Sequence, residues 1–394
     1  MRSGTRIFLT LCLAAVLLVG GYGWYAKQRM SAHVVATPVA PVPSTPAPIA
    51  QPTEPPPATT PAPLHATAGT PHATPPGGGS VKSPPASATP APPRQRLFFR
   101  STTVDQHYGS VAWADVARPG QVHYVDSLRC EVVYAAGGHG ICLSADRGVF
   151  TTYSASLFDT RDFKVKGSFP LKGIPSRARV SIDGTLAALT VFVSGHGYTT
   201  LDFSTQTLIV DVRSAATLAD LETFEVRRDG AVIKAADFNF WGVTFTPDAR
   251  QFYATLSTAG QHLLIRGDIA ARQAEVLYEN VECPSLSPDA RHVAYKKRLN
   301  VDGRIQWQLQ VLELASKREI PLAEKRSIDD QLEWLDDRHV LYSVPSKEDG
   351  SSPGTDIWSA AIDSKTAPVP YIRNGYSPAA ERCRAPAACA AASP

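Results

Sequence analysis

The sequence lacks the motifs by which several large enzyme classes are recognised. It has no Gly-x-Ser-x-Gly elbow, no His-Glu-x-x-His pair and no Asp-x-Asp-x-Asp-Gly loop, and no cysteine spacing in it suits a zinc site. Gly137-Gly138-His139-Gly140 resembles a phosphate-binding loop only superficially, because it lies between two predicted strands and close to Cys142. A hairpin turn is expected there. We therefore predict no catalytic residue, no metal site and no cofactor, in a protein that is not an enzyme.

Two further absences narrow the range of structures and partners. Beyond the proline-rich segment, no stretch has a sustained helical period of apolar residues, and only residues 215–222 suggest a short helix there. The chain also lacks a basic surplus where it could fold. Its net charge is +3 and residues 1–95 hold +5, so the remainder carries −2. Nucleic acid is not expected as a partner, because nucleic-acid binding requires a basic face.

A long apolar run occurs only at the N-terminus, in residues 7–26, with arginines before it and Lys27 and Arg29 after it. About 19 uncharged residues are enough to cross a bilayer as a helix, and Trp24 and Tyr25 stand where interfacial aromatic side chains are expected. We predict a single membrane anchor behind a short tail at residues 1–6. A cleaved signal peptide is the alternative, and the flanking charges leave the orientation open.

Proline is concentrated in the segment that follows, residues 27–95. Of the 33 prolines, 19 lie between residues 38 and 93, among Ala, Thr and Ser. Such a stretch has little apolar surface to bury and few backbone donors, so we predict a disordered, extended linker. Residues 96–379 are long enough for one folded domain. An Ala-rich tail at 380–394 is predicted to be disordered unless a cysteine holds it.

Five cysteines lie beyond the linker. Cys130 and Cys142 are close in sequence and flank a predicted strand end and turn, so a disulfide between them is expected, with two buried thiols as the alternative. Five is an odd number, and Cys283, Cys383 and Cys389 cannot be assigned from sequence. A disulfide would place the domain outside the cytoplasm, which agrees with the long linker.

One short sequence motif recurs along the folded part. An aspartate in a turn is followed by an apolar strand, with the aspartates at Asp183, Asp248, Asp289 and Asp336. The spacings are 65, 41 and 47 residues, and a period in the forties with alternating strands is typical of β-propeller blades. The first spacing implies an insertion of about 20 residues, with residues 193–204 and 215–235 as candidates. The recurring Asp and Arg residues are interpreted as turn architecture.

The third copy carries a family resemblance. Pro284-Ser285-Leu286-Ser287-Pro288-Asp289, followed by His292-Val293-Ala294-Tyr295, resembles the repeat of TolB-type propellers. The whole chain resembles the membrane-tethered TolB-like translocation proteins of high-GC bacteria. The resemblance implies an all-β TolB-like β-propeller. About 280 residues divided by a period in the mid-forties predict six blades, with seven as the alternative, and a C-terminal strand is expected to complete the first blade. TolB carries an additional N-terminal α/β domain that is not visible here, so the partner role of that domain is not carried over.

Candidate binding residues follow from the position of the repeats. In a propeller, residues just before each innermost strand lie at one mouth of the central channel, where ligands commonly bind. The residues at such positions are predicted to converge on one face; they are Asn239, Trp241, Glu282, Asp329 and Asp330. The acidic members could hold a cation or a basic peptide segment. Ordinary turn residues and one packed aromatic side chain are the alternative.

These patterns predict a membrane-anchored, extracytoplasmic binding or scaffold module of the cell envelope. It would be released outside the cell if the anchor is cleaved. Its partner would be another envelope protein, a peptide or a glycan, because a propeller offers a rigid face with variable loops. Fold alone does not imply function. The alternatives are a lyase-like or lactonase-like enzyme acting at the channel mouth, and a scaffold facing the cytoplasm with reduced cysteines.

Overall fold

The computed structural model describes residues 95–194, 203–347, 354–384 and 389. The predicted tail at 1–6, the predicted anchor at 7–26 and all but the last residue of the predicted linker at 27–95 lie outside the described residues. Within the described ranges, no helix is long and apolar enough to cross a membrane. The strands of these ranges form six sheets, which confirms the all-β prediction and gives six blades.

The blades follow one another along the chain. Blade 1 contains β1 (Arg96–Ser101), β2 (Ser110–Asp115) and β3 (His123–Arg129). Blade 2 contains β4 (Val132–Ala136), β5 (His139–Arg147), β6 (Thr151–Asp159) and β7 (Val165–Leu171). Blade 3 contains β8 (Ile174–Val180), β9 (Leu186–Ser194), β10 (Ser204–Asp211) and β11 (Thr217–Asp220).

Blade 4 contains two additional strands, β12 (Glu225–Arg228) and β13 (Ala231–Ile233), outside β14 (Asn239–Phe245), β15 (Gln251–Thr258), β16 (Gln261–Asp268) and β17 (Gln273–Glu279). Blade 5 contains β18 (Glu282–Leu286), β19 (His292–Val301), β20 (Arg304–Glu313) and β21 (Glu319–Pro321). Blade 6 contains β22 (Glu333–Trp334), β23 (His339–Pro345), β24 (Thr355–Ala361) and β25 (Val369–Ile372). The last strand, β26 (Gly375–Ala380), returns to blade 1.

The innermost strands of neighbouring blades touch in a closed ring, in the order β26, β4, β8, β14, β18 and β22. We call the face of the ring where these strands begin the upper face, and the face where they end the lower face. Strand β26 pairs antiparallel with β1, with Leu97 opposite Ala380 and Arg100 opposite Tyr376. The C-terminal strand therefore completes the first blade, as predicted, and leaves no open edge between the two ends of the domain.

The repeated aspartates are used inside their own turns. Asp183, Asp248 and Asp289 each accept a backbone amide from two residues later and a Ser or Thr hydroxyl from two residues earlier. The residue after each aspartate has a positive φ, of 72° at Gly184, 57° at Ala249 and 56° at Ala290. The repeat therefore marks the turn after each innermost strand, which agrees with the interpretation of Asp and Arg as architecture.

The insertion within residues 215–235 is a hairpin added to blade 4 rather than a helix. The helix predicted at 215–222 is wrong, because residues Thr217–Asp220 form β11 at the edge of blade 3, where they hydrogen-bond to β10. Only Leu221–Thr223 form a 3-10 turn, and the Asp220 side chain caps it by accepting the Glu222 amide at 3.2 Å. The hairpin of β12 and β13 then joins blade 4 through a parallel pairing of β12 with β17.

The cysteines form two disulfides. Cys130 and Cys142 are bonded, with their Cα atoms 5.3 Å apart, which confirms the predicted pair. Cys383 is bonded to Cys389. Cys283 is a buried free thiol in β18, so the odd cysteine of the domain is assigned.

Candidate functional site

The centre of the ring is filled by polar side chains. Arg179 of β8 crosses the axis and forms an ion pair with Glu333 of β22. The Arg179 guanidinium also donates to the Ser285 hydroxyl at 3.2 Å and lies 4.5 Å from the centre of the Tyr134 ring. The Tyr134 hydroxyl donates to Glu333 at 3.1 Å, and burial raises the pKa of Tyr134 to about 12. The axis is therefore a packed polar core.

Gln331 narrows the channel on the upper side of this ion pair. Its side-chain amide donates to the carbonyl oxygens of Val243 at 3.3 Å and Pro284 at 3.2 Å, in β14 and β18. The spaces left along the axis measure about 70 Å³ on the lower side and about 20 Å³ on the upper side. A peptide-sized ligand does not fit within the ring, so binding on the axis is confined to the two mouths.

The chain after β26 covers the lower mouth. Glu381 is buried and pairs with Arg96 at 2.7 Å. Arg382 donates to Glu333 at 3.1 Å, and its carbonyl accepts the amide of Gly137 at 2.8 Å. The sequence prediction began a disordered tail at residue 380, but β26 includes Ala380 and propeller contacts continue beyond it. A buried carboxylate such as that of Glu381 requires a charged partner, and Arg96 supplies one.

Charged side chains of both signs form a network at the upper mouth. Lys296 of β19 pairs with Asp329 and lies 3.7 Å from Glu282. Arg298 pairs with Glu282 at 2.9 Å, and Arg177 lies 3.6 Å from Asp329. We call these five residues the upper network. It joins blades 3, 5 and 6 and contains two of the five predicted site residues.

Lys296 and Glu282 are the fully enclosed members of the upper network, and Lys296 carries the positive charge. Its side chain is fully shielded from solvent, and its ammonium lies 4.5 Å from the centre of the Trp307 ring. Burial opposes its charge, but the fields of Cys283, Asp329 and Glu282 outweigh burial and raise the pKa of Lys296. Lys296 is therefore a fixed positive charge beneath the upper mouth.

Asp330 lies next to the network but is buried. Its carboxylate accepts the backbone amides of Gln331 at 2.8 Å and Ser343 at 2.9 Å. Burial raises the pKa of Asp330 in spite of the opposing field of Arg177. These contacts give Asp330 a role in holding the start of blade 6, beside Asp329, whose side chain is 40% exposed.

Asn239 and Trp241 lie outside the network. The side-chain oxygen of Asn239 accepts the backbone amide of Thr205 at 2.8 Å and so connects blade 4 to blade 3. Trp241 is completely buried, with its ring 5.6 Å from those of Phe203 and His262. The structure therefore places these two predicted site residues in contacts between and within blades.

The acidic and basic side chains of the upper network form ion pairs with one another. The acidic residues that could hold a cation are already paired with Lys296, Arg298 and Arg177 of the same chain. Sequence reasoning missed these three cations. What the upper mouth offers to a ligand is an exposed carboxylate at Asp329 and a partly exposed guanidinium at Arg298, whose side chain is 21% exposed. Such a surface suits a partner that carries both charges.

One group of described residues has donor atoms close enough together to hold a metal ion. It consists of Glu381, Cys383 and Cys389. The two cysteines are bonded to each other, so their sulfurs are not thiolate ligands. The donor set therefore does not suit a metal in the oxidised protein.

Comparison with solved structures identifies the fold. TolB from Acinetobacter baumannii matches with a TM-score of 0.52 and 16% sequence identity, over 75% of this chain and 69% of that chain. A putative TolB from Agrobacterium tumefaciens matches at 0.43 and 10%, over 74% and 94% of the two chains. Hydrazine synthase of Kuenenia stuttgartiensis matches at 0.42 and 16%, over 71% and 79%. No family model and no curated protein matches the sequence.

Proposed function

We propose that this chain, a TolB-like β-propeller, is a non-catalytic binding module of the cell envelope that holds a protein or peptide partner at its upper mouth. The observation that carries the proposal is the upper network. It places charges of both signs at the upper rim of the ring, where the innermost strands of the six blades begin. A buried lysine and a plugged axis hold that rim rigid, which lowers the entropic cost of binding.

The ligand is a segment that carries both a cation and an anion. The Asp329 carboxylate attracts a lysine or arginine side chain, and the positive charge of the Arg298 guanidinium attracts a carboxylate. Both groups stay partly exposed, whereas Lys296 and Glu282 between them are enclosed. A glycan bearing a single charge would use only half of this arrangement, so a peptide segment is favoured.

The location that fits this role is the outer side of the cytoplasmic membrane. The predicted anchor at residues 7–26 and the Pro-rich segment at 27–95 would present the propeller away from the bilayer. The two disulfides of the domain support this location, because disulfides persist in oxidising compartments.

The test is affinity capture of envelope proteins with immobilised full-length protein. The double variant Asp329→Asn/Arg298→Gln removes the exposed charges of the upper network and leaves the Lys296–Glu282 contact in place. The matched control, Asp146→Asn/Arg250→Gln, removes one exposed acid and one exposed base that lie elsewhere. We expect the network variant to lose a captured protein that the wild type and the control both retain.

Equal capture by all three proteins, with equal melting temperatures, would contradict the proposed binding surface.

A further inference from the structure

A cavity of about 70 Å³ lies on the axis of the ring at the lower mouth, and we call it the axial cavity. It is lined by the Arg179–Glu333 ion pair, by Tyr134 and by Arg382 of the C-terminal segment. By this measure a single water requires about 10–15 Å³. The axial cavity therefore has room for a small ion with water around it. It shares no residue with the upper network.

The charged groups of the lining leave a surplus of one positive charge. They are the guanidinium groups of Arg179 and Arg382 and the carboxylate of Glu333. Glu333 accepts from both guanidinium groups and from the Tyr134 hydroxyl, so one carboxylate is shared by two cations. The side chains of Arg179 and Arg382 are only 6% and 22% exposed. A buried charge without a counter-charge is costly, so the surplus favours an anion.

The acids at the rim of the cavity do not cancel this surplus. Three turns of the lower face, after β8, β14 and β18, contribute to the lining. In two of these turns an exposed aspartate stands two residues before an exposed arginine; the pairs are Asp248 with Arg250 and Asp289 with Arg291. At the third turn, the backbone amide of Arg384 donates to the Ile182 carbonyl at 3.1 Å, which places Arg384 beside Asp183. Each rim aspartate thus has an arginine close to it.

Three hydrogen-bond donors of the lining have no acceptor among the described residues. The buried Nε of Arg179 makes no hydrogen bond within them. The Ser285 hydroxyl accepts from Arg179 at 3.2 Å, and the Thr244 hydroxyl accepts the Leu286 amide at 3.2 Å, but neither hydroxyl donates to another residue of that part of the chain. Ser285 and Thr244 are at least 95% shielded from solvent. Donors that are buried without acceptors favour a ligand that only accepts hydrogen bonds.

We propose that the axial cavity binds a small monovalent anion of the size of chloride or nitrate. Arg179 and Arg382 supply the positive charge, and the hydroxyls of Ser285 and Thr244 donate to the ion. A cation would meet the surplus positive charge, and an uncharged ligand would leave that surplus uncompensated.

The bound anion would stabilise the ring. Its partners come from β8 of blade 3, β14 of blade 4, β18 of blade 5 and the C-terminal segment, so one ion joins three blades to the end of the chain. The site goes beyond the binding role proposed for the upper mouth and does not depend on it.

The test is chloride-35 NMR on the full-length protein, because chloride that exchanges with a protein site gives a broader signal than free chloride. We expect a protein-dependent broadening that sodium bromide reverses by competition. Sodium gluconate, whose anion is too large for the cavity, should not reverse it at the same ionic strength. The melting temperature should also be higher in chloride than in gluconate, because an ion that binds only the folded state stabilises it.

Two variants locate the binding. Arg382→Gln removes one of the two cations of the lining and should weaken chloride binding about tenfold or more. Ser285→Ala keeps every charge and the Arg382–Glu333 contact, removes one hydroxyl donor, and should weaken binding roughly three- to tenfold. The control is Arg250→Gln, which removes an exposed arginine of the same face that does not line the cavity and should leave binding unchanged.

The proposal is overturned if the wild type does not broaden the chloride signal more than Arg382→Gln does, because the ion would then be held only by surface charges. It is also overturned if gluconate reverses the broadening as bromide does, or if Arg250→Gln weakens binding as much as Arg382→Gln.

Discussion

Arg179 and Glu333 form an ion pair across the axis of the ring, from blades that lie opposite each other among the six. Both side chains are almost completely shielded from solvent, at 6% and 2% exposure. Glu333 also accepts the Tyr134 hydroxyl and the guanidinium of Arg382. Three blades and the C-terminal segment are thus joined at one buried carboxylate, and the axis is a structural core.

Breaking this pair should destabilise the propeller strongly. In Arg179→Met, Glu333 keeps two partners but loses its closest one, and removing one partner of a buried ion pair typically costs about 3–5 kcal/mol. We expect a loss near the lower end of that range in the free energy of unfolding measured with urea. The comparison variant Arg147→Met breaks the exposed pair with Glu131 and should cost at most about 1 kcal/mol. If both variants lose the same free energy of unfolding, the axial ion pair does not stabilise the propeller more than an exposed pair does.

The repeated turns should accept glycine with a gain in stability. Ala290 has a φ of 56°, a left-handed conformation that costs an alanine about 1–2 kcal/mol. Ala290→Gly should raise the free energy of unfolding by about 0.5–1 kcal/mol after the entropy of glycine is subtracted. Ala271→Gly, at an exposed turn position without positive φ, should lower it instead. A loss of stability in Ala290→Gly would contradict the described turn geometry.

Glu222 should make the domain less stable as the pH rises. Burial raises its pKa to about 8, although its carboxyl accepts the Thr207 amide at 2.9 Å. Because the folded pKa lies above the unfolded value, the stabilisation is complete below about pH 4.5 and is lost as the pH rises towards 8. In Glu222→Gln, the free energy of unfolding, measured with urea, should therefore fall less between pH 5 and pH 8 than in the wild type. The two decreases should differ by at least the free energy that corresponds to roughly one pKa unit.

The matched control is Asp146→Asn, which makes a carboxyl-to-amide change at an exposed position. If wild type and Glu222→Gln have parallel profiles over this range, Glu222 is not protonated in the folded protein.

The disulfides predict a definite thiol count. Full-length protein alkylated at cell lysis and then denatured should show two free thiols, Cys12 and Cys283, because the other four cysteines are paired. Reduction should raise the count to six. Six thiols before reduction would contradict both the pairing and the proposed extracytoplasmic location.

The Cys130–Cys142 bridge should also contribute to stability. It ties Cys130, in the connection between blades 1 and 2, to β5 of blade 2, and for a loop of this length a chain-entropy estimate gives roughly 2–3 kcal/mol. The variant Cys130→Ala/Cys142→Ser should lose about that much in urea unfolding. No loss would place the bridge outside the cooperative fold.

The repeats predicted the ring because each aspartate turn follows an innermost strand. They did not predict which way the side chains point. Trp241 precedes a bulge at Gly242, where φ is 67° and the pairing of β14 with β15 shifts register. A shift of register changes the face to which a strand side chain points, and Trp241 is buried between blades. A sequence pattern of alternating residues does not show such a bulge.

The cations of the upper network had a signal in the sequence. Glu282 and Lys296 are equally far in sequence from Asp289, and they are opposite each other in β18 and β19. In a hairpin, residues equally far from the turn on the two strands lie opposite each other, so this count would have placed Lys296 beside Glu282. Arg177 and Asp329 come from different blades, so their contact depends on the closure of the ring and could not be read locally.

The most direct test of the proposed function is photo-crosslinking in cells, from a photoreactive amino acid placed at position 325 of the full-length protein. Lys325 is exposed in the segment between β21 and β22 that leads to Asp329, so the crosslinker leaves Asp329 and Arg298 in place. Trp241 and Asp330 are buried and would report contacts within the propeller. A second copy of the experiment places the crosslinker at Lys365, an exposed position of blade 6 outside the upper network. The account predicts a discrete partner adduct from position 325 and none from position 365; no adduct from 325, or the same adduct from both, would contradict it.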